Sequence, residues 1–214
     1  MKPGYVQRFS PVERLLHWVN AAGFFFLLVT GLILYLPSLS MLVSRRQTIQ
    51  GIHFWGGVGW LGALAGVVLL GGRRLLATAR ELDSFDGDDL RWLRGRGGPQ
   101  GRFNAGQKIN ATLTAAFTIL FGVSGLLLWF GEGDTRYRFA STVILHDGLM
   151  YVSLVLLVGH LYLALIHPAT RHALRGMTLG DVRVEWVNKH HQKWEPEGVH
   201  IDRGTSRSAE AAPQ

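Results

Sequence analysis

The chain has 214 residues, of which 48% are hydrophobic and only 17% are charged, and its mean hydropathy is +0.16. A soluble domain of this length is seldom so apolar, so the composition indicates a membrane protein. There is no cysteine, which excludes disulfides, iron–sulfur clusters, thiolate-held zinc and covalently attached c-type haem. The formal net charge is +7, and its distribution along the chain decides what that charge means.

Four segments are apolar and long enough to cross a bilayer, at about 20 residues per crossing. In chain order they cover residues 14–36, 51–70, 107–130 and 142–166. The second is rich in glycine, and small residues allow helices or a flat cofactor to pack closely. The expected fold class is therefore all-α, a transmembrane four-helix bundle.

The ends of these segments carry helix signals. Ser10 followed by Pro11 and Glu13 predicts a helix start with proline at the first helical position. Pro37 and Pro168 follow the first and fourth segments, outside the apolar interior. The first segment is too long for a signal peptide and lacks a small-residue cleavage site, so we expect it to be retained.

The basic residues are distributed unevenly between the two sides of the predicted bundle. Seventeen of the 22 Lys and Arg lie in residues 1–14, the loop 72–106 and the tail 167–214, whereas the loops 37–51 and 131–142 hold two each. This is the positive-inside pattern of a bacterial inner-membrane protein with cytoplasmic N- and C-termini. The charge is thus a topology signal, and nucleic acid is not an expected partner.

We divide the chain into a cytoplasmic N-terminus (1–13), a membrane domain (14–166) and a cytoplasmic tail (167–214). Within the loop 72–106, residues 73–95 are compatible with one amphipathic surface helix, followed by a glycine-rich linker. The last stretch, 203–214, has a composition typical of disorder.

Four histidines lie inside the apolar segments, where an unpaired imidazole is costly and is functional by default: His17, His53, His146 and His160. His53 and His146 begin the second and fourth segments from the same side, so their depths match. His146 and His160 are 14 residues apart, which places them on roughly the same helix face and about 21 Å apart along the axis. Two metal sites at two depths, each with two imidazoles, suit two haems stacked across a bilayer, whereas zinc requires more ligands.

The partner of His17 is open on geometry alone, because His167 lies seven residues after His160 and faces nearly the same way. His160 is favoured by its position inside the apolar run. The other histidines are expected to face solvent in the polar tail, although His190 and His191 could touch a partner or a metal. They are His172, His190, His191 and His200.

Four motifs carry a resemblance to a known family: RFSPVERLLHW (8–18), GIHFWGG (51–57), RFNAGQK (102–108) and LHDG…GHLYLALIHP (145–168). With these motifs the chain resembles, over roughly residues 5–195, the gamma subunit of membrane-bound respiratory formate dehydrogenases, a di-haem cytochrome b.

The resemblance implies four transmembrane helices that hold two haem b groups. It assigns His53 with His146 to the outer haem and His17 with His160 to the inner haem, and it favours His160 over His167.

The resemblance also implies a quinone site, for menaquinone or ubiquinone, near the cytoplasmic haem at Asn104, Gly106 and Gln107. Polar groups and a route to water beside an electron donor suit quinone reduction. Asn104 could instead simply cap the third transmembrane helix, and Lys108 could orient the loop before it or snorkel.

The implied partners are an iron–sulfur beta subunit and a catalytic alpha subunit with molybdenum or tungsten and pterin, beside membrane lipid. Electrons from formate would pass through the two haems to quinone, and this chain would not itself oxidise formate. Cytochromes b of nickel–iron hydrogenases or of thiosulfate or polysulfide reductases are the main alternative. A haem that serves a soluble carrier and a haem-free scaffold or transporter are others, and the scaffold leaves the four histidines unexplained.

Overall fold

The computed structural model of the chain describes residues 3–137 and 139–196, so the stretch 203–214 and His200 lie outside the described residues. Helices dominate the fold, and one short strand pair joins the N-terminal segment to the C-terminal region. In chain order the elements are β1 (Tyr5–Gln7), α1 (Pro11–Tyr35), α2 (Pro37–Ser40), α3 (Arg46–Asp83), α4 (Gly87–Leu93), α5 (Ala105–Gly133), α6 (Ala140–Leu161), α7 (Leu174–Thr178), β2 (Asp181–Arg183) and α8 (Val184–His190). A π-helical turn over Tyr162–Ile166 continues α6.

The four predicted spans are confirmed as the four long helices α1, α3, α5 and α6, each long and apolar enough to cross a membrane. They expose large apolar side chains, as contact with lipid requires; Leu69 and Leu70 on α3 are both more than 80% exposed. Each helix extends a few residues beyond its apolar run, and α3 extends furthest, to Asp83.

The predicted start of α1 is confirmed. Ser10 is the N-cap, Pro11 occupies the first turn, and Glu13 completes a capping box by accepting hydrogen bonds from the Ser10 backbone N–H and hydroxyl, both at 2.7 Å. This box satisfies backbone donors that the first turn leaves unpaired.

The long helices pack in series, α1 on α3, α3 on α5 and α5 on α6. Between α1 and α3 the indole of Trp60 lies directly over Gly23, where there is no room for a Cβ atom. Across the bundle α1 meets α6 through the hydroxyls of Tyr35 and Tyr151, which are 2.6 Å apart. The four long helices thus surround a central space.

The loop between the second and third spans differs from the prediction of one amphipathic helix. The helix α3 continues past a break at Gly72, whose φ of 41° lies in the left-handed region that favours glycine. A separate short helix, α4, follows at Gly87–Leu93. The Lys108 ammonium, nearly buried, donates to the Ser84 carbonyl and to Asp89, each at 2.7 Å, so Lys108 orients this loop.

A polar cap closes one end of the bundle and adds strands to the fold predicted as all-α. β1 pairs antiparallel with β2, with Val6 opposite Val182. Beside the pair, the guanidinium of buried Arg102 contacts Glu13 and Glu81, each at 2.7 Å, and that of buried Arg8 donates to the Arg102 carbonyl at 2.7 Å. The cap therefore links the beginning of α1, the end of α3, the start of α5 and the C-terminal region.

Candidate metal and cofactor sites

His53 on α3 and His146 on α6 face each other across the bundle. Their ring centroids are 6.3 Å apart, with the ring planes at 73°. The Nδ1 atom of each ring is hydrogen-bonded to a hydroxyl at 2.8 Å, that of His53 to Thr30 on α1 and that of His146 to Ser124 on α5. With Nδ1 engaged, Nε2 remains to bind a metal between the two rings.

His17 on α1 and His160 on α6 form a second facing pair, with ring centroids 6.1 Å apart. The His17 ring also packs edge-on against Trp18, 5.2 Å away. His167, the alternative partner of His17 in the sequence, instead contacts Tyr162 and the Thr170 hydroxyl.

Both separations fit an iron held between two imidazoles. If each Nε2 lies about 2 Å from the iron and each ring centre about 1 Å behind its nitrogen, the ring centres are roughly 6 Å apart. Within residues 3–137 and 139–196, no three His, Cys, Asp or Glu side chains cluster in the way that a metal site built from protein ligands alone requires. A metal held by either couple would therefore take its remaining ligands from another group, such as a porphyrin.

A cavity of about 370 Å³ surrounds the His53–His146 pair and is lined by all four long helices. Two of its lining glycines face the imidazoles: a Cβ on Gly31 would lie 3.3 Å from Cε1 of His53, and one on Gly125 would lie 3.7 Å from Cε1 of His146. The lining also includes polar side chains, among them Arg46 and a hydrogen-bonded Gln50–Glu132 pair. Glycines beside both rings, apolar walls and the guanidinium of Arg46, which could bind a carboxylate, fit a porphyrin.

The residues predicted for quinone lie at the start of α5, in the polar cap. Asn104 caps this helix in a capping box with Gln107, so its structural role is real. The Gln107 Oε1 atom accepts from Arg8 and from the Asn104 backbone N–H, each at 3.1 Å. Gly106 lies against the Trp92 ring, where a side chain would crowd the indole. The structure brings these three residues together at one helix end.

A profile of the prokaryotic cytochrome b561 family matches residues 8–180, a range that contains all four paired histidines. The chain belongs to this family. Membership implies haem b as the cofactor, and the paired imidazoles described above fit that group. Together with the four apolar helices, it makes the chain a multi-pass protein of the inner membrane.

Several relatives of this cytochrome b561 family member are similar over most of its length. The cytochrome b556(fdo) subunit of formate dehydrogenase from Escherichia coli K12 is 26% identical, over 96% of this chain and 97% of that protein. The formate dehydrogenase cytochrome b556 subunit of Haemophilus influenzae is 25% identical, over 87% of this chain and 80% of that protein. The cytochrome b556(Fdn) subunit of the nitrate-inducible E. coli formate dehydrogenase is 22% identical, over 90% of this chain and 91% of that protein.

The prediction that the tail histidines face solvent is wrong for His191, which is only 1% exposed. Its Nδ1 contacts the Gly101 carbonyl at 2.5 Å, and its ring packs against Trp186 and Trp194. Burial, and then the charge of Arg8, lower the pKa of His191 to about 3. His190 is half-buried and His172 is exposed. In this cytochrome b561, His191 is thus a neutral core residue of the cap.

Two polar residues of the site were missed by sequence reasoning: Thr30 and Ser124, both buried. A hydroxyl in the middle of an apolar span is visible in the sequence. Its partner is not, because each hydroxyl reaches an imidazole more than 20 positions away on another helix.

Proposed function

We propose that this chain is the cytochrome b subunit of a formate dehydrogenase complex and passes electrons across the inner membrane to quinone. The observation that carries the proposal is the pair of facing imidazole couples, His53 with His146 and His17 with His160, in one apolar bundle. The names of relatives that match nearly the whole chain support formate as the source of the electrons.

We infer that the two imidazoles of each couple would hold the iron of one haem b, a group that supplies single-electron oxidation and reduction when bound. The bundle fixes the two couples on separate levels. His53 and Thr30 lie on one level, and His17 lies 13 residues before Thr30 on α1, a rise of about 20 Å. The helices that carry both levels are apolar enough to cross a membrane, whose hydrocarbon core contains no water.

We assign the cap and both termini to the cytoplasm. The distribution of Lys and Arg supports this orientation, and the pairing of β1 with β2 requires both ends to lie on the same side. In this orientation His53 and His146 hold the outer haem, and His17 and His160 hold the inner haem. The division into an N-terminus (1–13), a membrane domain (14–166) and a cytoplasmic tail (167–214) stays part of the proposal.

We assign quinone, menaquinone or ubiquinone, to the start of α5 on the cytoplasmic side. In the part of the chain that the structure describes, Gln107 Oε1 and Asn104 Oδ1 accept hydrogen bonds, and no bond uses either amide NH₂ group. Two amide donors at the start of a helix suit the oxygens of a quinone, and Gly106 carries no side chain that would crowd Trp92 and Asn104. Water at the cap would supply the protons that quinone reduction consumes.

The proposed partners are an iron–sulfur beta subunit that delivers electrons at the outer haem and an alpha subunit with molybdenum or tungsten and pterin that oxidises formate. The test is to purify the tagged chain from its own host, identify the bound subunits and count haem b per chain. We expect two haems that formate reduces and quinone reoxidises. Reduction by hydrogen instead would assign the chain to a hydrogenase, and the absence of haem would reject the proposal.

A further inference from the structure

The two imidazoles of the outer couple share a feature that, among the residues the structure describes, neither imidazole of the inner couple has. Thr30 Oγ1 lies 2.8 Å from Nδ1 of His53, and Ser124 Oγ lies 2.8 Å from Nδ1 of His146. The hydroxyls come from α1 and α5, the two long helices that do not carry these imidazoles. Both hydroxyl residues are buried, and Ser124 is completely so.

The direction of these hydrogen bonds follows from the helix backbone. Thr30 Oγ1 also lies 3.0 Å from the Phe26 carbonyl, and Ser124 Oγ lies 2.7 Å from the Leu120 carbonyl. A carbonyl only accepts and a hydroxyl has one proton, so both contacts are hydrogen bonds only when each hydroxyl donates to its own helix and accepts from the Nδ1–H of the imidazole. Both rings are thus held as the tautomer whose Nε2 lone pair is free for iron.

The inner couple has a different environment. Among the described residues, no hydrogen bond reaches the imidazole of His17 or His160, which contact each other and, for His17, the edge of Trp18. The two couples therefore differ in the hydrogen bonding of their ligands while sharing ligand type and spacing.

We propose that Thr30 and Ser124 are positioning residues that hold His53 and His146 in the Nδ1–H form and lower the midpoint potential of the outer haem below that of the inner haem. This rests on the proposed haem ligation. An Nδ1–H that donates to an oxygen makes Nε2 a stronger donor, which favours the oxidised iron. A potential difference of this sign favours electron movement from the outer level to the inner one, towards the cytoplasmic quinone site.

The test compares Thr30→Val and Ser124→Ala, alone and combined, with Thr30→Ser as the matched control that keeps the hydroxyl. Redox titration of the haem b absorbance in the purified holoprotein gives two potentials, and His146→Ala, which lacks the outer haem, assigns them. We expect the outer potential to rise in Thr30→Val and Ser124→Ala and to rise furthest in the double variant. The inner potential and the Thr30→Ser protein should stay at the wild-type values.

A second readout covers the case in which a variant loads haem poorly. Selective loss of the outer haem, with the inner haem retained and with rescue by Thr30→Ser, supports the positioning role. Unchanged potentials at full haem content, or equal shifts of both potentials, would overturn the inference. If wild-type protein does not contain two haems, or if His146→Ala keeps both, the proposed ligation fails instead, so the two failures are distinguishable.

Discussion

At the scale of the residue, His146 has the most completely defined surroundings of the four paired histidines. Ser124 contacts its Nδ1 atom, Phe121 packs against its ring, and His53 faces it. We expect His146→Ala to reduce haem b from two per chain to one, because a two-imidazole site loses half of its protein ligation. Haem extraction quantified per polypeptide measures this. His167→Ala is the control and should keep two haems; two haems in His146→Ala would contradict the assignment.

Asn104 combines a structural role with a proposed functional one, and two substitutions separate them. Asn104→Ala removes the N-cap, which costs about 1 kcal/mol, whereas Asn104→Asp keeps a capping oxygen and loses the amide NH₂. We expect both variants to retain two haems and to reduce quinone more slowly, with only Asn104→Ala less stable. Haem content, thermal unfolding and quinone turnover are the measurements. Wild-type turnover in both variants would remove Asn104 from the quinone site.

The buried His191 predicts a pH dependence of stability. Its folded-state pKa of about 3 lies below the ordinary value near 6.5, so between these values the unfolded chain binds more protons. The stability contributed by neutral His191 is therefore fully present above about pH 6.5 and declines as the pH falls towards 3.

We expect the unfolding temperature to fall between pH 7 and pH 5 in wild-type protein and to fall less in His191→Gln. The Gln amide can still donate to Gly101 but does not titrate. Thermal unfolding followed by tryptophan fluorescence is suitable, because Trp186 contacts the His191 ring. The exposed His172 provides the control His172→Gln, in which the unfolding temperature should fall with pH as steeply as in the wild type. A pH dependence of the unfolding temperature in His191→Gln equal to that of the wild type would refute the assignment to His191.

The four paired histidines were identifiable from the sequence because polarity inside an apolar segment is a local signal. Local spacing also matches His53 with His146 by depth, since helix rise is constant, but it leaves the partner of His17 open between His160 and His167. The position of His191 was not predictable in this way. Its environment is composed of Gly101, Trp186 and Trp194, and the first of these is 90 residues away.

At the scale of the element, α3 depends on Gly72 to change direction where it continues past its apolar run. With φ at 41° and ψ at −122°, Gly72 has a backbone conformation that other residues rarely adopt. We expect Gly72→Ala to destabilise the protein by about 1–3 kcal/mol, measured as a lower thermal unfolding temperature. Gly66→Ala is the matched control, because Gly66 lies in the same helix with open space around it. Equal effects of the two substitutions would contradict this role.

The spans and the strand pair show why some elements were predicted and others were not. Hydropathy over about 20 residues identifies a transmembrane helix from the local sequence alone, so the spans on α1, α3, α5 and α6 were predicted correctly. The end of α3 was not, because this helix continues to Asp83, 13 residues past the predicted end at 70. Each strand has only three residues, and Tyr5 pairs with Arg183. Such short segments have no periodic signal, and their stability comes from each other and from the cap around them.

At the scale of the whole molecule, the absence of cysteine allows a direct test of orientation. Ser44 in the loop after α2 and Ser84 after α3 are both exposed, so Ser44→Cys and Ser84→Cys are matched reporters. We expect a membrane-impermeant maleimide to label Ser44→Cys from outside in spheroplasts and Ser84→Cys only in inverted vesicles. The reverse pattern would invert the proposed orientation and the direction of electron transfer.

The pairing of β1 with β2 has a consequence for biogenesis. β1 leaves the ribosome first, but its partner β2 is synthesised only after all four long helices. Val6 can therefore pair with Val182 only at that stage. The contacts of Arg8 with Arg102 and Gln107 also join segments nearly 100 residues apart. The proposed quinone-binding end is therefore completed last, once both ends of the chain have met on one side of the membrane. An incompletely inserted chain would lack this end, which couples competence for quinone reduction to the completion of membrane insertion.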